Sequence, residues 1–165
     1  MNLNAYLLEN IKKLKENLYS NDWKISLHSS EKLAEINTPA SIEILIDALK
    51  SNDNFIRNSA SLGIREANNN KAFEALFNRI KELGPNEEIG TLVYSLEKFN
   101  CSQHLLEITD LYFKGNFEVK NAATTILNEQ EFILSSKELV QLKEILKEYN
   151  MTLKGFKIKY KLTDI

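Results

Sequence analysis

The sequence predicts an all-α fold: an α-α superhelix of about four helix pairs, with an N-terminal capping helix and a candidate short C-terminal β-strand. Three observations predict it. Two prolines and five glycines in 165 residues leave long stretches free to be helical. Apolar residues recur at spacings of three and four, the helical period. The apolar frame also repeats at an offset of 31 residues, which is the mark of stacked supersecondary units.

Residues 1–19 read as the capping element of one domain spanning residues 1–165. Leu7, Ile11, Leu14 and Leu18 form one stripe between residues 3 and 19, and a terminal unit needs one polar outer face. The repeats occupy residues 20–150. Between the segments starting at Asp22 and Asp53, Ile25 meets Ile56, Ser29 meets Ala60 and Leu33 meets Ile64. Ile42 then meets Phe73, Leu45 meets Leu76, Ile46 meets Phe77 and Leu49 meets Ile80. A third unit starts at Asn86, with Ile89 and Val93 in the frame, and a fourth at Asn116, with Val119 and Ala123. Each unit opens on Asp or Asn, side chains that cap free N–H groups at a helix start. Small residues (Ser29, Ala60, Ala123) stand where a neighbouring helix comes close. The links NTPA, ANNNKA and NCSQ carry turn formers, and Pro39 sits where a second helix begins.

The tail, residues 151–165, breaks the helical period. Phe156, Ile158, Tyr160 and Leu162 alternate with Lys157, Lys159 and Lys161, the period of two of a strand. A lone strand leaves its backbone groups unpaired. EFIL, Glu131 to Leu134, is a short pairing candidate. The tail is expected either to fold back as a C-terminal cap or, through Phe156, Ile158 and Tyr160, to add a strand to a partner's sheet edge or to a second copy of the chain. Its lysines form a solvated edge that discourages unwanted pairing.

The segment DNFIRNSASLGIREANNNKAFEALFNRI resembles a HEAT-type repeat, with Asp53, Ile56, Arg57, Ala60 and Ile64 carrying the match. The other units keep the apolar frame but place Ser26, Gly90 and Lys120 where the arginine stands. The resemblance covers roughly residues 20–150. It implies a short α-helical solenoid in which Asp53 and Arg57 tie adjacent repeats together. It also implies that the second helices line a concave, partner-binding face.

Composition narrows the function classes. The net charge is −2, and only Arg57, Arg65 and Arg79 of 21 basic residues are arginine. That disfavours nucleic acid as a partner. No apolar run approaches the roughly 20 residues that span a bilayer, and the N-terminus lacks the apolar core of a signal peptide. Cys101 is the one cysteine, which fits a reducing compartment. The reading is a cytoplasmic protein with no membrane partner, and its richness in Asn, Lys and Ile suggests a bacterial source.

No catalytic, cofactor-binding or metal-ligating set emerges. His28 and His104 lie on different units without metal-ligand spacing. Cys101 has no histidine placed to activate it and reads as a half-buried, inert residue. DNA glycosylases of HEAT-like architecture use a basic groove with tryptophans, whereas Trp23 is the sole tryptophan here. Nothing points to the tetrapyrrole ligands of the bilin-lyase relatives.

Acids recur instead. Exposed positions of the second helices read Glu43 and Asp47, Glu74 and Asn78, Glu107 and Asp110, then Glu138, Gln141 and Glu144. Glu43 to Glu74 is 31 residues and Glu74 to Glu107 is 33, near the repeat period. An acidic concave face would attract a basic protein partner. The expectation is a non-catalytic protein-binding module, an immunity or inhibitor protein that neutralises a cognate toxin. Nuclease toxins suit such a face, being basic because they grip phosphates. The alternatives are a scaffold subunit of a larger assembly and a glycosylase-type nucleic-acid enzyme.

Overall fold

A computed structural model describes residues 3–85 and 87–163; of residues 3–5 it describes the backbone only. The chain is all-α with two short strands near its C-terminal end. Its residues gather in two compact units, Met1–Phe99 and Asn100–Ile165. The division falls inside the third predicted pair. Asn86, where that pair is predicted to start, lies outside the described residues.

In the first unit, α1 (Leu3–Leu18) buries Ile11, Leu14 and Leu18. Leu7, the first residue of the predicted stripe, stays 37 % exposed. Two helix pairs follow: α2 (Trp23–Ile36) with α3 (Pro39–Ala48), and α4 (Asn54–Ala67) with α5 (Asn70–Leu83). The starts of all four helices, and the stops of α2 and α4, repeat residue for residue. Asp22 and Asp53 cap α2 and α4, accepting from Lys24 N at 2.9 Å and from Phe55 N at 2.8 Å. Asn37 and Asn68 close the same helices in the left-handed conformation, at φ 45° and 47°, which asparagine tolerates better than most residues. Thr38 and Asn69 then cap α3 and α5. The period of 31 is therefore a period of helix starts and of the stops of the first helices.

The first helices pack side by side, α1 on α2, α2 on α4 and α4 on α6 (Gly90–Ser95), while α3 packs on α5. The closest approach is at Gly63. A Cβ there would stand 2.9 Å from the Ser30 carbonyl oxygen and 3.0 Å from a Leu45 methyl carbon. Alanine has the higher helix propensity by about 1 kcal/mol, yet the contact at Ser30 is with backbone, so α2 and α4 must separate to admit a methyl group. Gly63→Ala is expected to lose about 1–3 kcal/mol in urea unfolding. A variant as stable as the parent would show that the α2–α4 distance is free to adjust.

Ties between neighbouring helices differ from those the HEAT resemblance implied. Asp53 caps its own helix, and the buried Arg57 donates from Nη1 to Ser51 O at 2.9 Å and from Nη2 to Asn54 Oδ1, both at the entry to that helix. Burial lowers the Arg57 pKa, and the neighbouring Arg79 charge adds to this. The links across the period come from other side chains. Asn37 Nδ2 donates to Ala67 O at 3.2 Å and Arg79 Nε to Leu49 O at 3.0 Å. Arg65 Nη1 donates to Tyr94 O at 2.7 Å, while its guanidinium carbon lies 4.0 Å from the centre of the Tyr94 ring.

The third pair is irregular. Its first helix, α6, has six residues and continues as one 3-10 turn, Leu96–Lys98. No side chain caps its start at Ile89, and Gly90 occupies the position equivalent to Arg57.

The second unit contains α7 (Leu105–Lys114), α8 (Phe117–Glu129), β1 (Glu131–Leu134), α9 (Ser136–Glu148), α10 (Leu153–Phe156) and β2 (Lys159–Leu162). The fourth pair is thus interrupted by a strand, at the EFIL segment that the sequence offers as a pairing candidate. β1 and β2 pair in parallel, Glu131 beside Lys159, Phe132 beside Tyr160, Ile133 beside Lys161 and Leu134 beside Leu162. EFIL is the tail's partner. The predicted seven-residue alternation is shorter in the structure. Thr152 caps α10, Lys157 turns left-handed at φ 50°, and only Lys159 onward is strand.

Candidate functional site

The second helices of the first unit present their predicted acids to solvent. Ile42, Leu45 and Ala48 face inward on α3, leaving Glu43 and Asp47 outside, and Glu74 and Asn78 are exposed on α5. Residues four apart share a helix face, so the sequence pattern placed these side chains correctly. Their charges are partly matched. Lys71 Nζ pairs with Glu43 across α3 and α5, and Lys50 Nζ lies 2.8 Å from Asp47 Oδ1. The hydrogen bond and charge of Asp47 raise the Lys50 pKa. Glu74 has no cationic partner among the described residues.

In the second unit Glu107 and Asp110 on α7 are half-buried. His104 Nδ1 lies 3.9 Å from Glu107, and Lys114 Nζ 2.5 Å from Asp110. The Asp110 hydrogen bond and charge raise the Lys114 pKa. Gln141 and Glu144 are exposed on α9. Glu138 is structural, because its carboxylate accepts from Ser135 N at 2.8 Å and closes a capping box at the start of α9. The acids expected to form one uniform ladder are therefore a mixed set: some paired with lysine, one used as a cap, and a few left open.

A second acidic feature lies on the first helices. Glu31, Ala34 and Glu35 of α2 and Glu66 of α4 line a hollow of about 340 Å³. Lys32 Nζ is 2.7 Å from Glu35 Oε2. Glu31 and Glu66 have no cationic partner among the described residues. Glu35 and Glu66 are 31 residues apart, so the repeat period marks them. The HEAT resemblance points away from them, because it assigns partner binding to the second helices. Both stand in the last turn of a helix, where the macrodipole disfavours negative charge; helix stability does not account for them.

The groups suited to chemistry are scattered. His28 is exposed on α2, and His104 lies at the start of α7. Cys101 is fully buried, not half-buried as expected, because its link folds under β1 and α8: Cys101 N donates to Gln130 Oε1 at 2.8 Å and Ser102 O accepts from Ile133 N at 2.8 Å. Burial pushes the Cys101 thiol pKa up to about 12, so the thiol is protonated at neutral pH. Among the described residues no three His, Cys, Asp or Glu side chains are grouped to hold a metal ion, and no helix is long and apolar enough to cross a membrane.

The tail residues divide. Phe156 joins an aromatic group, 5.8 Å from Phe113 and 5.7 Å from Tyr112, with Phe113 stacked on Tyr149 at 4.0 Å. Ile158, just before β2, and Tyr160, within it, are half-buried. No protein-family model matches the chain, and no curated protein matches it.

Proposed function

We propose that the chain is a HEAT-like solenoid acting as a non-catalytic protein-binding module, an immunity or inhibitor protein that meets a basic protein partner through carboxylates. The observation that carries the reading is a group of exposed acids without cationic partners among the described residues of the first unit, among them Glu31 and Glu66 at the hollow and Glu74 on α5. Acids without cationic partners keep their field for a visitor, whereas those paired with lysine have spent much of it within the chain. A basic toxin, of the kind that grips phosphate, is the partner chemistry that suits them. The reading places the protein in the cytoplasm of a bacterium, where such a partner would be held inactive.

Affinity capture from the native source followed by mass spectrometry tests this. Recovery of a basic protein whose toxicity the chain suppresses on co-expression supports the proposal. Recovery of nucleic acid and no protein overturns it. With the partner in hand, Glu66→Lys and Glu74→Lys together are expected to slow association about tenfold at low salt, with less effect at high salt. Unchanged association rates would remove these carboxylates from the interface.

A further inference from the structure

We propose that the outer edge of β2 is a docking edge for an extended acidic segment of a partner protein. Thr163 N donates to Leu134 O at 2.9 Å, so the residues in phase with Thr163, Lys161 and Lys159, turn their backbone groups toward β1. Tyr160 and Leu162 turn theirs outward. The sheet has two strands, and the far side of β1 is already used by the bond from Ile133 N to Ser102 O. Among the described residues β2 therefore carries the open edge, and an incoming strand finds N–H and C=O groups ready to pair.

The side chains on that edge select the visitor. Lys161 Nζ lies 2.6 Å from Glu131 Oε2. Lys154, Lys157 and Lys159 are exposed and have no acidic partner among the described residues. A second copy of the chain would bring lysine against lysine across a short pairing, which is unfavourable. A segment alternating Asp or Glu with Val, Ile or Leu would set its acids along the lysine face. Its apolar residues would fall beside the half-buried Ile158, Tyr160 and Leu162. The lysines thus exclude self-pairing and favour one class of strand, two effects that together make specificity.

A fluorescent, end-capped peptide of alternating glutamate and valine, titrated into the full chain and read by anisotropy, is the probe. Binding is expected, weakening with salt. Lys157→Gln with Lys159→Gln should weaken it about tenfold, and neither change sets a like charge beside Glu131 in the β1–β2 pair. Tyr160→Pro removes an outward N–H without touching the β1 ladder; set against Tyr160→Ala, which also loses the half-buried ring but keeps that N–H, it should abolish binding at an equal melting temperature. The proposal fails if the parent chain ignores the peptide. It fails equally if a control with proline in place of valine binds as well, since charge alone would then suffice. Binding of a single-stranded oligonucleotide that survives Tyr160→Pro, or a dimer that this substitution dissolves, would also overturn it by showing a different occupant.

Discussion

Truncation before Lys154 is expected to lower the stability of the second unit by about 3 kcal/mol in urea unfolding. The deletion removes Phe156 from the group formed with Tyr112, Phe113 and Tyr149, and β2 from its place beside β1. Four half-buried apolar side chains are lost, each worth about 1 kcal/mol at that degree of burial. Aromatic geometry adds about 0.5–1.5 kcal/mol per pair, and the freed conformational entropy of the tail offsets part of the total. Phe132 and Leu134, 0 % and 2 % exposed, also lose cover. Full stability in the truncated chain would mean that the tail is an appendage and that its contacts contribute little. Because Tyr160→Pro leaves the aromatic group intact, comparing the two variants separates the tail's role as a cap from any role as a contact.

The first two helix pairs were legible in the sequence because their signals are local. Asp22 and Asp53 start helices and Asn37 and Asn68 stop them through hydrogen bonds and backbone conformations fixed within a few residues. The third pair was less legible, since an apolar frame at Ile89 and Val93 persists although no side-chain cap supports the helix and it ends after six residues. The end of the chain was harder still. EFIL and KYKL are four-residue runs well separated along the chain, and their pairing depends on tertiary packing, β1 lying against α7 and α9. The tail's alternation is real in the burial pattern from Phe156 to Leu162. Yet the Thr152 cap and the left-handed Lys157 turn its first part into helix, a choice that side-chain period alone does not reveal. For the acids, the exposed positions on α3 and α5 follow the sequence pattern, but Glu107, Asp110 and Glu138 are half-buried, and the ion pairs were not legible, because Lys71 reaches Glu43 from the next repeat.

Phe132→Ala is expected to be the most damaging single substitution in the second unit, costing about 3–5 kcal/mol. Phe132 heads the fully buried side chains by size, and its strand touches both α7 and α9. Truncation there leaves a cavity that two helices and a strand must close at once, and a short parallel pair has little slack to move. Its neighbour Ile133 is 39 % exposed, and Ile133→Ala should stay within about 0.5 kcal/mol. The contrast between adjacent residues tests the strand itself. In the observed register Phe132 and Leu134 share the buried face, and a slip of one residue would exchange it with the face carrying Ile133. Equal losses at the two positions in urea unfolding would mean that β1 is not held as a strand with one buried face. A large loss at Phe132 alone would make this strand, set between the helices of the fourth pair, the anchor on which both the tail's cover and its open edge depend.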